Sequence, residues 1–294
     1  MKKAFSLIEL SIVLLIIGIL VAGITQSSRL IAQMRLSSAR SQTQSSPVSS
    51  ISGLTLWLEA TSENSFTETE TANAASISTW YDINPQSVAK INVTQATSSA
   101  KPIYTSNAIN GLPALDFNAA NSQFLTATSV LGGNLFATDQ VSVFLVQLYE
   151  SGNTSTIFWG TPSGALRFNV HAFHSGSNSF YFDFGDCCDV NARLTATVTI
   201  SSVSNIAQVL SVVKKSTGVA EARTNGGSAF VSTSSMTSAM PAGSSSALYI
   251  GTSDHGAYFN GYIGEIIVFN RSLKTEERQA IEQYLGKKWG IKVT

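Results

Sequence analysis

Glu9 is the residue on which the most chemistry turns. It is a carboxylate inside the apolar run Phe5-Ser-Leu-Ile-Glu-Leu-Ser-Ile-Val-Leu-Leu-Ile-Ile-Gly-Ile-Leu-Val-Ala-Gly-Ile24, which follows Lys2 and Lys3. A carboxylate in such a segment costs about 2–3 kcal/mol even on lenient insertion scales, so it calls for a cation. No basic residue lies one helical turn toward the C-terminus, which leaves Lys2, Lys3 or a positive group from outside the chain. A second set of polar residues comes much later. Arg167, Asn169 and His171 alternate with Leu166, Phe168 and Val170, and Tyr181 and Asp183 alternate with Phe180, Phe182 and Phe184. This alternation predicts two strands with the apolar set facing a core and Arg167, Asn169, His171, Tyr181 and Asp183 on the opposite face. Planar donors, a phenol ring and a carboxylate suit a face that stacks on and hydrogen-bonds a sugar. A merely solvated sheet face, as half of any sandwich must be, is the preferred reading from these residues alone.

The adjacent cysteines Cys187 and Cys188 have Cα atoms about 3.8 Å apart, below the usual disulfide span of ~4.4–6.8 Å, so a bond between them is strained. A vicinal disulfide stiffening the turn at 185–191, two reduced thiols and a bridge to another subunit all stand as readings. Asp183, Asp186 and Asp189 carry hard oxygens that suit calcium, the one cofactor these residues suggest; aspartates also form turns unaided, and that is the preferred reading. No catalytic constellation emerges. Glycosidases built on sandwiches place carboxyls ~5 Å apart from closely spaced acidic residues on one strand. Glu265 is the sole acid in Tyr262–Phe269 and looks isolated among apolar neighbours. No phosphate-cradling glycine loop and no paired zinc motif is present, so the chain is not expected to be an enzyme.

These residues need elements to hold them. The apolar run of about 20 residues is enough, at roughly 1.5 Å per residue, to cross a ~30 Å hydrocarbon core, and the two lysines favour a cytoplasmic N-terminus. Leu30, Ile31 and Met34 recur at helical spacing beside Arg29, Gln33 and Arg35, so the helix is expected to run on into water to about residue 36. A cleaved secretory signal and a plain anchor are the blander alternatives; neither needs Glu9. Residues 37–52 are polar, Ser-rich and marked by Pro47, and read as a flexible linker. Beyond them come short runs rich in β-branched and aromatic residues, among them Leu54–Glu59, Val141–Leu148, Gln208–Val213 and Tyr262–Phe269, separated by Gly, Asn, Ser and Pro. About a dozen such runs without alternating helices argue for a mainly β antiparallel sandwich. One helical pattern closes the chain: Thr275 as N-cap, Glu276 and Glu277 in the first turn, and a stripe of Ala280, Ile281, Tyr284 and Leu285.

Composition sets the outer bounds. The 294 residues carry 18 basic and 18 acidic side chains, which leaves no electrostatic footprint for nucleic acid. The apolar fraction of 44% excludes a disordered chain, and two cysteines make neither a disulfide scaffold nor a four-thiolate zinc site.

Lys3-Ala4-Phe5-Ser6-Leu7-Ile8-Glu9-Leu10-Ser11, with the apolar run behind it, resembles the N-terminal methylation segment of type IV pilins and type II secretion pseudopilins. The resemblance implies a leader over 1–4, cleavage between Ala4 and Phe5 by prepilin peptidase, N-methylation of Phe5, and an assembly helix over 5–36. It also implies that Glu9 pairs with the Phe5 ammonium of a neighbouring subunit, the cation that cleavage would create. Gly18 and Ala22 form a small-xxx-small pair suited to close helix packing. Two departures matter. Ala4 stands where the family has glycine, which predicts slower processing, and the proline that kinks major pilin helices is missing, which leans toward a pseudopilin or minor pilin.

Residues 53–294 resemble the laminin-G-like, concanavalin A-like jellyroll modules of bacterial surface proteins. The likeness rests on Gly53-Leu-Thr-Leu-Trp-Leu-Glu59, Ile77-Ser-Thr-Trp80-Tyr-Asp82, Asn110-Gly-Leu-Pro-Ala-Leu-Asp-Phe117 and the closing stretch from Gly264-Glu-Ile-Ile-Val-Phe-Asn270 to Tyr284-Leu-Gly-Lys-Lys-Trp289. Together the two resemblances imply a filament subunit, a minor pilin or pilus-associated adhesin, whose sandwich binds a glycan or a surface protein. It would reside in the bacterial inner membrane as a prepilin and then in a periplasmic or extracellular filament. Its partners would be other pilin subunits and prepilin peptidase, and not nucleic acid. The alternative is a secretion pseudopilin whose sandwich is purely structural.

Overall fold

The computed structural model describes residues 7–131, 135, 139–152, 154–160, 166–174, 178–186, 189, 191–198, 203–216, 218–232, 235–240, 245–253 and 256–294. Helix α1 (Leu7–Gln44) spans 38 residues, about 57 Å at roughly 1.5 Å per residue. From Leu7 to Ile24 its large apolar side chains are exposed on every side. A helix apolar all round needs lipid or other helices about it. Its hydroxyls respect that requirement: Ser11 and Ser27 donate back to the carbonyls of Ile8 and Gly23 at 2.9 and 2.8 Å.

The linker expected over 37–52 is not a flexible tether. The helix continues to Gln44, a short 3-10 turn covers Pro47–Ser50, and Ala39, Thr43, Ser46 and Val48 are buried. Ala39 and Thr43, four apart, fall on one face of the helix, and their small side chains let the backbone approach the domain closely. Arg40 fastens the joint, donating to the Thr61 carbonyl at 2.9 Å and pairing with Glu63 at 2.5 Å. Tertiary contact outweighs the weak helix propensity of serine, and the helix stops just ahead of Pro47, whose ring disfavours helical backbone before it.

The rest is a sandwich of two antiparallel sheets. Nine strands form one: β1 (Leu54–Glu59), β2 (Ala75–Ser76), β5 (Ile103–Ile109), β6 (Leu112–Phe117), β8 (Val141–Tyr149), β13 (Ile206–Lys214), β14 (Ala220–Thr224), β15 (Phe230–Val231) and β17 (Gly261–Phe269), in spatial order β15-β14-β13-β8-β17-β6-β5-β2. Strand β1 pairs with the C-terminal half of β17, continuing the edge that β6 occupies at its start. Eight strands form the other: β3 (Thr79–Trp80), β4 (Val93–Thr94), β7 (Leu125–Leu131), β9 (Thr154–Gly160), β10 (Leu166–His174), β11 (Ser179–Asp186), β12 (Arg193–Thr197) and β16 (Ser245–Ile250), in order β12-β11-β10-β9-β16-β7-β4-β3. Between the sheets lies the core, where Phe168, Val170, Phe180, Phe182 and Phe184 pack with Trp159, Phe117 and Tyr149, as their alternation predicts.

Helix α2 (Thr275–Trp289) covers the outer face of the nine-stranded sheet. Its N-cap is Lys274 rather than Thr275: the Glu277 carboxylate accepts the Lys274 N–H at 2.8 Å, and Arg271 beside it holds the Glu277 carboxyl down at about 2. The predicted stripe is buried at Ile281, Tyr284 and Leu285, and the same side also buries Arg278, Glu282 and Lys288. Gly290, in the left-handed conformation at φ 63°, ends the helix.

Candidate ligand-binding face

Register fixes what stands side by side on the outer face of the eight-stranded sheet. Arg193 is opposite Asp183, Asp183 opposite Asn169, and Asn169 opposite Phe158. Phe158 is opposite Tyr249, Tyr249 opposite Thr126, Thr126 opposite Thr94, and Thr94 opposite Thr79. Directly paired residues share a face, so one row crosses all eight strands. The next row carries Thr195, Tyr181, His171 and Ser155.

The structure therefore brings the five residues expected on this face together, but the face is not an open, solvated surface. Arg167 is 6% exposed, Asn169 3%, His171 7% and Asp183 0%, while Tyr181 is half-buried. The side chains cover one another. Asp183 is held between two guanidiniums, Arg167 at 2.9 Å and Arg193 at 2.5 Å. Arg193 also lies over the Tyr181 ring, 4.3 Å from its centroid, and its pKa rises through the bond to Asp183 in spite of burial. His171 packs against His174 and Tyr181 and is hydrogen-bonded through Nδ1 to Ser155 Oγ at 2.9 Å. Burial, reinforced by His174, pushes the His171 pKa down to about 4, so the ring is neutral at pH 7. In the middle of the row Asn169 Oδ1 is buried without a hydrogen-bond partner.

Beyond Asn169 the row turns aromatic. Phe158 is fully buried under Tyr249, and Phe124 packs against Tyr249 and Tyr258 with ring centroids 6.1 and 6.3 Å apart. Phe124, Tyr249 and Tyr258 are partly exposed. The face thus combines an ionic and amide centre with an aromatic shoulder and a threonine margin. Arg193, His174, Phe158, Tyr249, Tyr258 and Phe124 were not legible from alternation in two strands. Arg193 could have been found by starting its strand two residues before Thr195, which places it across from Asp183.

The remaining candidates divide. Glu9 lies in the first turn of α1 among exposed apolar side chains. Ala4, Phe5, Cys187 and Cys188 lie outside the described residues. Asp183 spends both oxygens on arginines, while Asp186 and Asp189 are exposed. Among the described residues no group of three His, Cys, Asp or Glu side chains gathers to hold a metal. Glu265 is not isolated, as its apolar neighbours in sequence suggested: Lys288 reaches it from α2 at 2.8 Å. A cavity of about 680 Å³ lies elsewhere, between α1 and the sandwich, lined in part by Arg40, Trp57, Glu63 and Ile83.

Comparison with known proteins supports both halves. Residues 1–25 match the family model described as the prokaryotic N-terminal methylation motif. Among proteins of curated function none matches the chain significantly. The sandwich is similar in fold to domain 4 of AbnA, a GH43 extracellular arabinanase from Geobacillus stearothermophilus solved in complex with arabinotriose, at 14% identity and a TM-score of 0.50, over 78% of this chain and 97% of that one. It is similar also to the binding domain of Paraclostridial Mosquitocidal Protein 1 (10% identity, TM-score 0.52, 80% of this chain and 52% of that one). The binding domain of botulinum neurotoxin serotype G is a third such structure (14%, 0.52, 80% and 51%). The match thus spans about half the length of the two toxin domains. The chain joins a type IV pilin-type N-terminal methylation motif, on a helix long and apolar enough to cross a membrane, to an antiparallel β-sandwich.

Proposed function

We propose that this chain is a subunit of a type IV pilus-like filament, a minor pilin or pilus-associated adhesin, and that its sandwich binds a glycan through the outer face of the eight-stranded sheet. Prepilin peptidase cuts between Ala4 and Phe5, Phe5 is N-methylated, and Glu9 pairs with the new ammonium of a neighbour. The observation that carries the binding half is the row from Arg193 through Asn169 to Tyr249. Half-buried Tyr249, with Phe124 and Tyr258 beside it, supplies stacking surface, and Asp183 holds Arg193 and Arg167 in place, which limits the entropy lost on binding. The arabinotriose-bound AbnA domain lends support at the level of fold alone.

A second reading draws on the burial of Arg167, Asn169, His171 and Asp183. Groups so thoroughly engaged with one another also suit a pseudopilin whose sandwich only packs against filament neighbours. A glycan array probed with the detergent-extracted full chain separates the two. Binding that Tyr249→Ala weakens about tenfold, roughly 1.4 kcal/mol, supports the adhesin. Silence across the array favours the scaffold.

A further inference from the structure

Strand pairing sets Glu59 directly opposite Glu265. Two carboxylates abreast on one sheet face repel, and both of these are fully enclosed. The cation between them is Lys288, from the last turn of α2, whose Nζ lies 2.5 Å from Glu59 Oε1 and 2.8 Å from Glu265 Oε2. Its ammonium is as enclosed as they are. Two carboxyls and one amine are electrically balanced only when one further proton is present, and an oxygen at which no donor is aimed is the place for it.

The surrounding donors are unequally shared. Glu265 is gripped on both oxygens: Trp57 Nε1 and the Tyr284 hydroxyl donate to Oε1 at 2.8 and 2.9 Å, and Trp289 Nε1 donates to Oε2 at 2.9 Å. On Glu59, Oε1 receives the Thr61 backbone N–H at 2.8 Å and the Thr61 hydroxyl as well as Lys288, whereas Oε2 is buried with no hydrogen-bond partner. One oxygen of Glu59 therefore sits in a cradle that favours negative charge, and the other is held by nothing.

We propose that Lys288 and Glu59 condense inside the folded chain into an amide cross-link, with Glu265 as the proton carrier. The Glu265 carboxylate takes a proton from the Lys288 ammonium, and the neutral Nζ attacks Cδ of the Glu59 carboxylic acid. The carbonyl electron pair moves onto Oε1 in the Thr61 cradle. On collapse Glu265 returns its proton to Oε2, which leaves as water. The second proton lost by nitrogen then remains on Glu265. An ammonium, a carboxylic acid and a carboxylate thus become an amide, a water and a carboxylic acid, with atoms and charge conserved. The product replaces a buried ion pair by neutral groups, which removes the penalty of keeping charges from water. Packing of β1, β17 and α2 holds the reacting atoms in contact, which makes the attack effectively unimolecular.

The link would tie the first long strand to the last helix, 229 residues apart. The test is mass spectrometry of the full chain, extracted in detergent, denatured and digested with trypsin. Expected is the peptide 41–90 joined to 288–292, lighter than the two together by one water, with cleavage after Lys288 blocked. Glu265→Gln and Lys288→Arg should each release the two segments unjoined. A wild-type digest yielding them separately overturns the proposal outright, and a joined peptide from Glu265→Gln overturns the role given to Glu265.

Discussion

His171 illustrates how a single ring on the outer sheet face makes stability depend on pH. Its folded pKa of about 4 lies below the ordinary 6.5 because the ring is enclosed, with His174 adding to the effect. Between those values the unfolded chain binds a proton that the folded chain refuses, so stability declines as pH drops through this window, by about 3 kcal/mol at most. Urea midpoints of the detergent-solubilised chain should fall from pH 6.5 to 4, and His171→Gln should flatten that slope. Equal slopes in the two proteins would mean that the ring is not the group responsible. Residue identity was legible here before residue environment was. Alternation placed Arg167, Asn169, His171, Tyr181 and Asp183 on a common face, but the burial of four of them follows from the second arginine, the histidine pair and the register with β12, none of which two isolated strands reveal.

Strands and helices differ in how plainly their residues announce them, for physical reasons. Runs with β-branched and aromatic alternation, such as Val141–Tyr149 and Gly261–Phe269, announce themselves. Strand β14, Ala-Glu-Ala-Arg-Thr, is built of helix formers, and only its pairing with β13 makes it a strand. The serine-rich stretch after residue 36 misled in the other direction, because composition says nothing of the surface on which Ala39 and Thr43 pack. In α2 the charges at 278, 282 and 288 lie outside the predicted apolar stripe, yet they are buried with it: Arg278 pairs with Glu282, whose carboxylate also accepts the Ser211 hydroxyl at 2.5 Å. Lys288 lies seven residues past Ile281 and four past Tyr284, so it shares their side of the helix. Close approach at this element rests on Gly264, where β17 bulges against β8 and a Cβ would come within 2.5 Å of the Trp289 ring. Gly264→Ala should destabilise the sandwich by about 1–3 kcal/mol, read as a lowered urea midpoint. An unchanged midpoint would show that Trp289 can shift aside.

For the molecule as a whole, the apolar helix and the sandwich make different demands. The helix needs a hydrophobic surround along Leu7–Ile24, and in the proposed filament Glu9 within it pairs with the ammonium that processing would supply. Glu9→Ala should leave insertion intact, since it removes a charge from an apolar segment, while cutting the amount of protein in sheared filaments several-fold. Membrane fractionation and filament immunoblots read the two separately, and filaments loaded as in wild type would count against the ion pair. Both halves were recognisable from sequence because each follows a strong pattern, twenty apolar residues in one and period-two strands in the other. Their joint was not recognisable, since it is made of small residues meeting a surface that exists only after folding.

That stiff joint, with Arg40 bound to Thr61 and Glu63 and Val48 sunk into the core, has a geometric corollary. A domain on a floppy leash would sample every orientation, whereas here the helix dictates the heading of the sandwich. In the proposed filament, copies stacked with helical symmetry would all aim the Asn169–Tyr249 row at one angle to the fibre, so the proposed weak grips on a repetitive glycan would add up along its length.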